Sequence, residues 1–130
     1  MPHSLPTPGL AAHTKALEAA GITLKHVSRV PLPFKPIADQ AIRAAASVPA
    51  NLAEGHGRTG RDRMHHWRIA YGSAKEVDTH LRLLVQAGAV DGSDATKALD
   101  LLDQVRAMTW RLLHPHTDCI TLAAAAIPSR

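Results

Sequence analysis

In QAIRAAASVPANLAEG, residues 40–55, apolar side chains recur every three or four positions and run straight through a proline. Ala38, Ala41, Ala45, Val48, Leu52 and Gly55 form one row, and Ile42, Ala46, Pro49 and Ala53 form a second beside it. That spacing is helical, and so wide an apolar arc predicts burial on two sides. A central strand would not accept Pro49, so no sheet can be built on this segment. Inside a helix the proline removes the hydrogen bond to the Ala45 carbonyl and clashes there, at roughly 3 kcal/mol. Both rows keep their phase across it. The expectation is a continuous helix kinked near 45–49, in preference to a break restarted with Ser47 as cap.

The neighbouring segments share the period. Leu10, Leu17, Leu24 and Val27, with Ala20 between, predict a first helix over 9–29, closed by the Pro-rich VPLPFKP. Pro36 suits the first turn of the second helix, 36–56. Met64, Trp67, Tyr71, Ala74, Val77, Leu81 and Leu84 trace a third helix over 61–87, with Gly88 as its stop. Ser93 or Asp94 can cap a fourth over 94–113, whose stripe is Ala95, Ala98, Leu102, Val105, Thr109 and Leu112 before His114-Pro115. Alternating β-branched runs and hairpin turns are absent. The fold class is all-α: an antiparallel up-and-down four-helix bundle. One domain spans 1–130, with a flexible Pro-rich leader at 1–8 and a tail at 116–130. Hydrophobic residues make up 45% of the chain but aromatics only 3%, so the seams should be thin and built on alanine.

Several functions are excluded or disfavoured. Gly55-His56-Gly57-Arg58-Thr59-Gly60 matches G-x-G-x-x-G, and Glu76 and Asp78 stand where a ribose-binding acid would, but no strand precedes the glycines. They read as a turn, with Gly55 or Gly57 in the left-handed conformation. A di-iron bundle needs Glu-x-x-His on two helices, and Glu76 and His80 have the wrong spacing. Cys119 is the one cysteine, so there is no internal disulfide and no activated thiol pattern. No catalytic group, metal or cofactor is expected, and the chain reads as a non-enzyme. The N-terminus lacks a signal-peptide pattern and ITLAAAAI, residues 120–127, is too short to span a bilayer. A cytoplasmic protein without a membrane partner is expected.

SVPANLAEGHGR, preceded by QAIRAAA and followed by IAYGSAKEVDTHLRLL, resembles the four-helix-bundle family of 23S rRNA intervening-sequence proteins. That family shows a motif close to Q-I-R-R-A-A-x-S-[IV]-P-x-N-I-A-E-G, then A-x-G-S-x-x-E-x-E on the next helix. The matching positions are Gln40, Arg43, Ser47, Pro49, Asn51, Ala53, Glu54 and Gly55, then Gly72, Ser73, Glu76 and Asp78. The match is strong over about 38–88; the first and fourth helices agree only in placement and length. The resemblance implies a bundle protomer assembled with itself as a cyclic homopentamer. More distant relatives are accessory proteins of diversity-generating retroelements, which bind nucleic acid and partner a reverse transcriptase. It implies no catalytic residue. The Pro-rich leader replaces the charged, aromatic-containing start common in the family.

Charge supplies the functional candidates. Arg58, Arg61, Arg63 and Arg68, with His56, His65 and His66, crowd together against the single acid Asp62. Arg61, Arg68, Lys75 and Arg82 recur at seven-residue intervals, which draws a nearly straight stripe along helix three. Arg58, Arg61, Arg63, Arg68, Lys75 and Arg82 are therefore candidates to grip the phosphate backbone of RNA or DNA, and a net charge of +4 permits this without requiring it. The competing reading is a solvated flank with salt bridges, in a scaffold that binds a protein partner. Ile69 and Leu83, opposite the core stripe of helix three, are candidate oligomer contacts. Arg43, Ser47, Pro49, Asn51, Glu54, Gly55 and Asp78 are expected to be structural. A buried Asp78 needs a partner, for which Arg43 and Asn51 are candidates. Ser47, Asn51 and Glu54 are candidates to satisfy backbone groups left open by Pro49 and the turn.

Overall fold

The computed structural model describes residues 8–115, with side chains from Leu10 onward; the leader before Pro8 and the tail from His116, Cys119 included, lie outside the described residues. The helices are α1 (Pro8–Val27), α2 (Lys35–His56), α3 (Gly60–Gln86) and α4 (Gly92–Leu113), with a 3-10 turn Leu32–Phe34 ahead of α2. No strand occurs among the described residues. α1 packs on α2 and α4, and α3 packs on the same two helices, so short loops and consecutive neighbours give the expected up-and-down bundle. α2–α3 is the most extensive seam.

α2 runs unbroken through Pro49, as the phase of its apolar rows requires. Ala38, Ala41, Ala45, Val48, Leu52 and Gly55 are all buried, whereas Ala46 and Ala53 of the second row are exposed. Four alanine-rich faces meet at the centre of the bundle, and the largest fully buried side chains are Leu52, Leu81, Leu84 and Leu102. The stripes expected on α3 and α4 are buried in or packed against this core, with Tyr71 of α3 the exception.

On α1 the expected row holds at Val27 and in part at Ala20, and fails at its leucines. Its buried residues are Ala12, Ala16, Ala19, Thr23 and Val27, while Leu10, Leu17 and Leu24 stand 42%, 53% and 39% exposed. Interaxial distance depends on side-chain size at the contact, and alanines facing alanines bring α1 close to its neighbours. A leucine does not fit so narrow a seam. The only buried hydroxyl on α1, Thr23, donates to the Ala19 carbonyl at 2.8 Å.

The helix ends also correct the sequence reading. Asp91 caps α4 by accepting from the Ser93 amide at 3.3 Å; neither Ser93 nor Asp94 is the cap. Gly88 (φ 78°) does end α3: its amide donates to Val85 O at 3.0 Å and that of Ala89 to Leu84 O at 2.9 Å, the paired bonds of a Schellman motif. At the α2–α3 turn the left-handed residue is Gly60 (φ 60°), while Gly57 has φ −81° and Gly55 is helical. Gly55 serves close approach: an added Cβ would stand 2.4 Å from Cδ1 and Nε1 of Trp67.

Candidate nucleic-acid interface

The turn after α2 gathers the arginines, and half of them are occupied with holding it. Arg58 bridges two carboxylates: its Nε donates to Glu54 at 3.0 Å and its Nη1 to Asp62 at 2.6 Å, tying the end of α2 to the first turn of α3. The hydrogen bond from Arg58 holds the Asp62 carboxyl below the usual carboxylate range, and Asp62 and Glu54 together raise Arg58 above its ordinary value. Arg63 reaches back from α3 to the open end of α2, donating to Gly55 O at 2.9 Å and His56 O at 3.1 Å. It also lies over the Trp67 ring, 5.2 Å from the centroid. His56 O is among the groups a helix C-terminus leaves open, whereas Gly55 O also accepts from the Arg58 amide at 3.2 Å. Arg63 therefore acts as a cap donated by the next helix.

Along the stripe the four cations divide. Arg82 donates to Asp78 at 2.7 Å, and this bond raises its pKa. Lys75 sits 5.8 Å from the centroid of the Tyr71 ring. Arg61 and Arg68 are exposed and have no hydrogen bond or ion pair among the described residues. The stripe flanks the α4 side of α3, because Asp78 also faces Arg106 of α4 at 3.6 Å. Asp78 is buried as expected, 7% exposed, but its partners are Arg82 and Arg106, and not Arg43 or Asn51. Arg43 is exposed and touches neither. Arg106 further pairs with Asp103 on its own helix.

The remaining motif residues build a polar ladder across the α2–α3 seam. Asn51 Nδ2 donates to the Ser47 carbonyl at 3.0 Å and to Ser47 Oγ at 3.1 Å, and Ser73 Oγ donates to Ser47 Oγ at 2.9 Å. Asn51 Oδ1 stands 3.0 Å from His66 Nδ1. With the amide nitrogen already donating to Ser47, Oδ1 is the acceptor, which places the proton on Nδ1. Ser47 and Asn51 thus face α3, Glu54 is held by Arg58, and none of them is bonded to the Ala45 carbonyl opened by Pro49. Ser73 was visible only as a motif position. His66 was visible only as a member of the basic cluster and Arg106 not at all, because each acts through a contact between helices.

Two apolar features complete the surface. Ile69 and Leu83 are 37% and 48% exposed on the outer side of α3, with exposed Glu76 between them. Between α1 and α2 an open groove of about 460 Å³ is lined by Leu17, Gly21, Leu24, Ala46, Pro49 and Ala50, among others. At one end it meets a smaller recess of about 140 Å³ at Leu10, His13, Ala53 and His56. Sequence reasoning missed this groove because it assigned its leucines to the core.

Among the described residues no group of three or more His, Cys, Asp and Glu stands close enough to hold a metal ion. None of their helices is long and apolar enough to cross a membrane. The model of the 23S rRNA-intervening sequence protein family matches residues 33–111. A crystal structure of a protein of unknown function from the S23 ribosomal protein family of Bacteroides thetaiotaomicron VPI-5482 is similar in fold. Its TM-score is 0.74 at 18% identity, covering 82% of this chain and 98% of that one. No curated protein matches the chain.

Proposed function

The chain belongs to the family of 23S rRNA-intervening sequence proteins, and from that premise we propose that it is a non-enzymatic, cytoplasmic, self-associating bundle whose α3 flank holds the phosphate backbone of RNA or DNA. The observation that carries this reading is the pair of unpartnered arginines, Arg61 and Arg68, exposed in line with Lys75. An unpaired guanidinium can displace counterions from a phosphate without first breaking a salt bridge. Arg58, Arg63 and Arg82 contribute charge from fixed positions, since each is held by the fold. A cyclic homopentamer, sealed in part by Ile69 and Leu83, would repeat the stripe around a ring and multiply a weak contact.

Binding of unstructured RNA and duplex DNA at two salt concentrations tests the proposal. Binding should weaken steeply with salt, and replacing Arg61 and Arg68 together by alanine should lower the salt slope by about one per arginine. Absence of binding at low salt refutes it. A second reading, a scaffold that recruits a protein partner and binds no nucleic acid, is favoured by the open apolar groove between α1 and α2. Light scattering addresses the assembly: a monomeric mass removes the ring from the proposal.

A further inference from the structure

The α1–α2 groove offers leucines on one wall and small residues on the other. Leu17 and Leu24 project from α1, and Ala46, Ala50 and Ala53 leave room on α2. Apart from His13, and His56 at its mouth, no titratable side chain lines it, and none is an acid, lysine or arginine, so an occupant should be uncharged and able to lie along two helices. The exposed face of α3 on a second copy fits poorly, because Glu76 stands between Ile69 and Leu83 and would enter the groove without a cation. Residues 120–127, ITLAAAAI, meet the requirement, since no charge occurs between Asp118 and Arg130.

The topology brings that segment to the groove. In the up-and-down order, the end of α4 at Leu113 shares a pole with the start of α1 and the end of α2. The groove opens at the same pole, beside His13, Ala53 and His56. From α4 the chain has one helix to cross, roughly 10 Å. Residues 116–119 can span roughly 13 Å. The groove runs from the level of Leu10 to that of Leu24, roughly 21 Å at the helical rise. Residues 120–127 can reach roughly 26 Å when extended.

We infer that residues 120–127 dock in the α1–α2 groove of their own chain, covering Leu17 and Leu24 and withdrawing that face from other copies and partners. The native Cys119 makes the contact testable in the full chain. Introduced alone, Ala53→Cys at the groove mouth should form a disulfide with Cys119 under mild oxidation, giving a cross-linked monomer on a non-reducing gel. Ala107→Cys, exposed on the outer side of α4 and also within reach of the chain end, should cross-link at least about tenfold more slowly, because only docking raises the effective thiol concentration at Ala53. Adding Leu17→Glu to the Ala53→Cys chain should reduce its rate to that of Ala107→Cys. Equal rates at the two positions, a rate unchanged by Leu17→Glu, or a covalent dimer in place of the cross-linked monomer would each overturn the inference; the last would assign the groove to a second copy.

Discussion

Replacing Gly55 by alanine adds a single methyl group where Trp67 of α3 lies against the α2 backbone. That carbon would sit 2.4 Å from Cδ1 and Nε1 of Trp67 and 3.1 Å from Arg63 O, so the indole must move or the helices must part. Trp67 is 6% exposed and its Nε1 donates to Leu52 O at 3.4 Å, which leaves it little freedom. Overpacking of this kind costs about 1–3 kcal/mol. Loss of the indole hydrogen bond adds about 1 kcal/mol, and the better helix propensity of alanine returns about the same amount. The net loss is therefore about 2 kcal/mol, or roughly 8 °C in Tm for a domain of this size. Gly72→Ala is the internal contrast, since a Cβ there meets nothing within 4 Å. It should stabilise by about 0.5–1 kcal/mol, through helix propensity and a less flexible unfolded chain. Thermal and urea unfolding followed by circular dichroism, at one protein concentration, reads both changes. A Gly55→Ala chain at least as stable as the unmodified protein would refute the close approach of Trp67.

Arg63→Ala should destabilise by about 1–2 kcal/mol, because His56 O loses its donor, Gly55 O keeps only the Arg58 amide, and Trp67 loses its cation. Arg61→Ala and Arg68→Ala should stay within about 0.5 kcal/mol in the same urea titration, since neither holds a partner. Asp78→Asn should cost about 2 kcal/mol, as Arg82 and Arg106 lose their shared carboxylate; a double-mutant cycle with Arg106→Met would report the coupling. The Arg58–Asp62 contact should depend on pH. The Asp62 pKa is depressed in the fold, so its contribution is present above the ordinary carboxylate range and is lost as the pH falls through the folded value. Hydrogen exchange of the first α3 turn should accelerate there, and Asp62→Asn should abolish that dependence.

The polar half of the motif shows what a sequence can disclose about a site. Ser47, Asn51 and Glu54 fall on one flank of α2 beside its core row, and a helical register alone puts them on the same side of that helix. It does not name their partners. His66 meets Asn51, Arg106 meets Asp78 and Arg63 meets Gly55 O only after two helices are set at a particular offset. The basic cluster was legible as composition, but its division into anchored and unpartnered arginines was not. That division depends on which carbonyls and carboxylates lie within reach of each guanidinium.

Helix number and phase, the continuity of α2 through Pro49 and the stop at Gly88 are local properties, set by spacing, propensity and backbone conformation, and they can be read from the chain alone. The tertiary structure decides which of two apolar rows on α1 becomes core. Periodicity identifies a row, but the distance between helix axes selects between alanines and leucines, and that distance belongs to a pair of helices. Ala12, Ala16 and Ala19 fill the narrow seam, and Leu17 and Leu24 are left to line a groove. The same logic explains Gly55: it looked like turn chemistry, and becomes the point where a tryptophan from the next helix lies too close for any side chain.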